Sequence, residues 1–263
     1  GEPTAVFTPP DMPQLRLWRV SDPGTIGVLQ RALADSEMFI ADGHHRYEAA
    51  LRYRSGVRAE REVGHDESIN FRIMMMVSFD EPGLITRGYH RVVETATADE
   101  ISCLIDSFKS TCELEEWTPP AGQPTAEKVE AFAVALGERE GDEVVFGLFG
   151  KEPGKFHVAR MKAPPPANNA LENSEYSRLH SLIIRPVISE AREEQVISPH
   201  HDAGLIARQV DSGEARFAII MRPVPLPEFV AIVTRGWRLP PKATNFFPKP
   251  PAGAVIQQFG ERL

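Results

Sequence analysis

Asp42-Gly43-His44-His45-Arg46 concentrates an unusual amount of polar chemistry directly behind the apolar run from Met38 to Ala41. The run is short and stopped by Asp-Gly, the pattern of a buried strand, whereas Tyr47, Ala50, Leu51 and Arg54 recur at helical spacing. The spacing predicts a strand, a turn and a helix, with the box at the helix start. There the first backbone N–H groups lack partners and the helix dipole is positive, while Gly43 has no Cβ to block an approaching ligand. Phosphate fits such a place. Arg46 adds a planar fork of donors, and His44 and His45 can exchange a proton near neutral pH. A purely structural reading stays open beside this one. Asp-Gly is also an ordinary turn, Asp42 can cap the helix, and two adjacent histidines cannot share one helical face.

Phosphoryl transfer needs positive groups around the phosphate, a divalent cation held by carboxylates, and a group that orients the attacking hydroxyl. The backbone of Gly43, His44 and His45 with Arg46 is the candidate phosphate cradle, and ATP or ADP with magnesium the candidate cofactor set. Asp42 and His45 are the candidate catalytic residues, with Asp42 and Asp202 the candidate magnesium carboxylates. His90 and Arg91 are assigned to the nucleotide, while Lys242, Thr244 and Lys249 are assigned to the substrate. Glu48 can simply pair with Arg52 at i+4. The chain carries no Walker A box and no protein-kinase signature, so the nucleotide assignment rests on the Asp42–Arg46 box. Two other classes stay open. One is a nucleotide-binding module without turnover. The other is a metal-dependent hydrolase built from His44, His45, His200, His201 and Asp202, although adjacent histidines ligate awkwardly and no HExxH spacing occurs.

The elements that must position these groups fall into three regions, 15–95, 96–163 and 170–263. The first holds a helix from Pro23 to Asp35, the box and its helix, and Phe71 to Phe79 as a core strand in which Met74, Met75 and Met76 serve packing. A turn at Glu81-Pro82-Gly83 leads back into Leu84 to Val93. The second region reads as a compact α/β unit: a helix over Glu100 to Lys109, a strand over Cys112 to Trp117, a helix from Thr125 to Leu136, and a hairpin of Glu143 to Phe149 with Phe156 to Met161. Ala163 to Asn169 is a proline-rich linker. The third region has a helix from Ser174 to Ile184 with His180 as a core or helix-end histidine, and a helix begun by Asp202 and ended by Asp211-Ser212-Gly213. Arg216 to Met221 is a strand, and Pro227 and Glu228 open a last helix. Trp237 to Pro251 carries too much proline for regular structure and reads as either a substrate loop or a wrapping tail.

Composition narrows the partners. A net charge of −8 argues against general nucleic-acid binding, which needs lysine and arginine to displace counterions. Cys103 and Cys112 form no CxxC pair, so neither a zinc ribbon nor a disulfide framework is supported and a reducing cytoplasm is the expected setting. No run reaches the length of a membrane span, and the start lacks a basic-then-apolar leader.

The stretch from Asp42 to Leu51 also resembles the signature of the bacterial and archaeal family called domain of unknown function 1015. Leu17-Trp18-Arg19-Val20, Met74-Met75-Met76-Val77, His90-Arg91-Val92-Val93 and the segment from Arg238 to Lys249 resemble further landmarks in family order. Members usually carry a further N-terminal segment that is missing here. Where the family commonly reads isoleucine-serine-tyrosine-threonine-aspartate, this chain has Ile197-Ser198-Pro199-His200-His201-Asp202. The box is in turn similar to the phosphate-binding box of the ParB and sulfiredoxin superfamily, which includes nucleotide-binding partition proteins, an ATP-using reductase and free-serine kinases. The resemblance implies an α+β fold: a mixed-sheet ParB/sulfiredoxin-like core, an additional α/β subdomain and a C-terminal region of helices and strands. It also implies a kinase of a small hydroxyl substrate, with free serine the candidate and a homodimer the candidate assembly.

Overall fold

A computed structural model describes residues 1–10, 12–139, 143–150 and 155–259. The fold is α+β, and its internal contacts divide it into two units, Gly1–Val77 with Lys249–Leu263, and Ser78–Pro248.

The first unit begins with two short antiparallel strands, β1 (Ala5–Phe7) and β2 (Leu15–Leu17), paired with Ala5 opposite Leu17. Helix α1 (Pro23–Leu33) starts where Asp22 accepts a hydrogen bond from the Thr25 N–H at 2.7 Å, and Pro23 pre-sets its first turn. Helix α2 (His44–Glu60) follows the box and buries none of its residues. The predicted strand at Met38 to Ala41 does not form, and neither does the one at Phe71 to Phe79. Met74, Met75 and Met76 are exposed rather than packed. The Gln257 side chain stands where a neighbouring strand would: its Oε1 accepts from Ile73 N–H at 2.6 Å and its Nε2 donates to the Phe71 carbonyl at 2.9 Å. One amide ties this segment down but cannot supply a ladder.

The second unit is built on a sheet. In chain order its elements are β3 (Ile85–Arg87), β4 (His90–Val93), α3 (Ala98–Thr111), β5 (Cys112–Trp117), α4 (Thr125–Gly137), β6 (Val145–Phe149) and β7 (Phe156–Met161). Then come the short helices α5 (Ala170–Asn173) and α6 (Glu175–Arg178), a π-helical turn over Leu179–Ile184, α7 (Glu190–Val196), β8 (Ile197–His200), α8 (Ala203–Ser212), β9 (Phe217–Ile220), α9 (Leu226–Val233) and β10 (Asn245–Phe247). Six strands pair in the order β5-β7-β6-β9-β4-β8. The sheet is antiparallel at every pairing rather than mixed. The reason lies in the connections: each helical link crosses to a parallel strand that is not a neighbour, and an antiparallel strand fills the gap, β7 between β5 and β6 and β4 between β8 and β9, while β6 and β7 meet as a hairpin. The predicted irregular C-terminal loop contains β10, which pairs with β3 through Phe247 opposite Ile85.

Both faces of the sheet are covered, which explains why β6 and β9 are apolar without alternation. On one face Phe146, Leu148, Phe217 and Ile219 pack with Leu104 and Phe108 of α3 and with Ile183 and Ile184. On the other, Val158, Ala218 and Ile220 meet Val129, Phe132 and Leu136 of α4 and Ile206 of α8. Thr97 opens α3 with a reciprocal capping box to Glu100. Among the described residues no helix is long and apolar enough to cross a membrane.

Gly147 lies under α4 with no room for a side chain: an added Cβ would stand 2.5 Å from Phe132 Cε1 and 2.6 Å from Leu136 Cδ1. Gly147→Ala is therefore expected to destabilise by about 1–3 kcal/mol, read as a lowered urea midpoint with unchanged slope.

Candidate functional site

The residues singled out by their chemistry fall in both units. In the first, Gly43 precedes α2 in the left-handed region at φ 81°, a backbone state that glycine adopts without strain. No side chain caps the helix there. Asp42, the candidate cap, instead faces two cations: Arg46 Nη2 lies 3.5 Å and Lys249 Nζ 4.0 Å from its Oδ2. The Arg46 guanidinium folds back over the turn, with Nη2 3.1 Å from where a Gly43 Cβ would sit. His44 and His45 are exposed in the first turn. The structure thus brings together Asp42, Gly43, Arg46 and Lys249, the last more than 200 residues further along the chain. No side chain serves the first N–H groups of this seventeen-residue helix, and Arg46 and Lys249 stand beside its start.

In the second unit His90, Arg91 and Lys242 come together in a different way. Arg91 is 3% exposed, and its guanidinium is bound on every side. Nε donates to His180 Nε2 at 3.1 Å, Nη1 to the Tyr89 carbonyl at 2.9 Å, and Nη2 to the Lys242 carbonyl at 3.0 Å. The Tyr176 ring covers one face, 4.8 Å from Cζ. Because arginine can only donate, His180 Nε2 carries no proton, so Nδ1–H points at Glu193, to which it is closely bonded. His90 Nδ1 accepts the Met221 N–H at 3.1 Å. Both residues assigned to a nucleotide therefore have these polar atoms engaged inside the protein. Lys242 adopts a positive φ of 59°, its carbonyl held by Arg91 and its ammonium 5.3 Å from the Tyr89 ring centre. Thr244 is half-buried between buried Ala243 and Asn245. Asp202 caps α8, accepting the Leu205 N–H at 2.9 Å. His200 Nε2 lies 3.6 Å from Glu94, and His201 packs edge-on to Tyr89. Among the described residues no three histidine, cysteine or acidic side chains converge as a metal cage.

The profile of the family described as "Protein of unknown function (DUF1015)" matches residues 1–174. The chain belongs to this family. No curated protein matches. Among solved structures, a conserved hypothetical protein from Pyrococcus furiosus is 17% identical, with 79% of this chain and 68% of that chain covered at a TM-score of 0.39. A free serine kinase variant in complex with AMP is 16% identical over 87% of this chain and 82% of its own, at a TM-score of 0.39. A free serine kinase variant in complex with ADP is likewise 16% identical, covering 86% and 81% at a TM-score of 0.37.

Sequence reading of this DUF1015 chain missed Tyr89, Tyr176 and Glu193 as neighbours of the Arg91 centre. One signal was present: Tyr176 and His180 are one helical turn apart, and their rings stack at 4.2 Å. Nothing in the spacing connects Glu193 to Arg91.

Burial, with the Arg91 and His201 charges adding to it, holds the His90 imidazole down at about 4, and burial lowers that of His180 as well. The unfolded chain binds a proton at these rings near pH 6.5, so folded stability is intact above that pH and falls as pH drops from 6.5 towards 4. His90 alone accounts for about 3 kcal/mol. Urea midpoints at pH 7 and 4.5 should show this loss, and His90→Asn should shrink the difference; an equal loss in the variant would contradict the assignment.

Proposed function

We propose that the Asp42–Arg46 box binds the phosphates of a nucleotide, and that the protein is a nucleotide-dependent phosphotransferase acting on a small hydroxyl compound. The candidate acceptor is free serine, from the likeness of the box to that of the ParB and sulfiredoxin superfamily. The observation that carries this reading is the uncapped, glycine-led start of α2 with Arg46 and Lys249 beside it.

The amide groups of His44 and His45 would hold phosphate oxygens along the helix axis, and the Arg46 fork would fix their orientation. Magnesium is commonly held by one or two carboxylates together with phosphate oxygens and water. Asp42 offers one such carboxylate, so the residues present fit a cation shared with the nucleotide but not an all-protein cage. When bound, magnesium would neutralise phosphate charge. Phosphoryl transfer forms a bond from the acceptor hydroxyl oxygen to phosphorus and breaks the bond to the nucleotide. The hydroxyl proton goes to Asp42 or His45, the two proton acceptors of the box. Lys249, beside Asp42, is the proposed substrate group of the box.

Thermal midpoints with magnesium and ATP, ADP or phosphate test this. Ligand at a hundred times Kd stabilises by about 2.7 kcal/mol, a rise of about 5–10 °C for a chain of this size. The rise is expected to disappear in Arg46→Ala. No rise with any of the three would contradict the proposal.

A further inference from the structure

Beyond the box, a cavity of about 410 Å³ opens along the C-terminal half of α2, within the range typical of small-molecule sites. Tyr53 and Phe259 stand at its wall with ring centres 5.8 Å apart and tilted by 41°. Buried Ser68 and Ile69 form its floor.

The charges around it are unequal in availability. Arg61 has both terminal nitrogens engaged: Nη1 and Nη2 donate to the two Glu67 oxygens at 3.0 and 2.6 Å, and Nη1 also donates to the Glu62 carbonyl. Glu67 additionally accepts the Gly64 N–H at 2.8 Å. That pair cancels in charge and leaves no open fork for an anion. Glu60 lines the same cavity and has no ion-pair partner among the described residues. One unopposed carboxylate beside two aromatic rings is chemistry for a cation with an apolar body, because ring faces attract ammonium groups and the carboxylate repels anions. Tyr53 lies nine residues beyond His44, about 13 Å along the helix, so the cavity is separate from the box.

We propose that this cavity is a second site, for an organic ammonium ion carrying an aromatic body, held by Tyr53, Phe259 and Glu60. Titration calorimetry with tryptamine, and with indole-3-propionate as its anionic counterpart, tests it on the full chain. Tryptamine is expected to bind at one site, at least about fivefold more weakly in Glu60→Gln and in Tyr53→Ala. Binding in Arg46→Ala should be unchanged, and indole-3-propionate should not bind. Glu60→Gln preserves the shape of an exposed side chain, so its result does not depend on how the ring variant folds. No tryptamine binding, equal affinity in Glu60→Gln, equal binding of the anion, or loss in Arg46→Ala would each overturn the proposal.

Discussion

A guanidinium cannot be taken out of water unless its donors are met, and the second unit is arranged around meeting those of Arg91. Its partners come from four parts of the chain: the Tyr89 carbonyl ahead of β4, the His180 ring of the π-helical turn, the Tyr176 face of α6 and the Lys242 carbonyl. Glu193 of α7 completes the set by fixing the His180 tautomer. Removing a hydrogen-bonding partner such as the His180 ring leaves a buried donor unmet, at roughly 1–3 kcal/mol. This cluster therefore specifies the path of the Lys242 segment more sharply than apolar packing would, since apolar contacts tolerate small shifts and directed hydrogen bonds do not.

The Asp42–Arg46 box works by the opposite principle. Its charged groups lie in water, where an ion pair of 3.5 Å contributes little to stability. Asp42 is opposed by both Arg46 and Lys249, so the helix start carries a local positive excess on a chain whose net charge is −8. A stability role explains such an arrangement poorly. An anionic ligand explains it better, because it adds partners for backbone N–H groups that no side chain serves.

Where a residue's own chemistry dictates the local backbone, the sequence was readable. Asp202 starts α8 by capping it, Gly213 ends it in the left-handed region, and proline opens α1 and α9. The β6–β7 hairpin and β9 follow from apolar runs bounded by breakers. The same rule failed at Met74 to Met76, because an apolar run states that burial is favourable without supplying a partner strand, and here a single glutamine side chain holds the backbone. The direction of the strands was also hidden: it depends on which strands become neighbours, a property of the whole chain. At the box, the helix start was legible from Asp-Gly, but the strand before it was not realised, and Lys249 could be placed beside Asp42 only by the fold.

The central claim is that the start of α2 is an anion site, and the most direct measurement is a two-dimensional NMR titration of the isotopically labelled protein with magnesium and ATP. Saturating shifts that are largest at the amides of His44, His45 and Arg46 are the predicted result. Amides of the box that stay unmoved while ATP binds elsewhere, or does not bind at all, would contradict it.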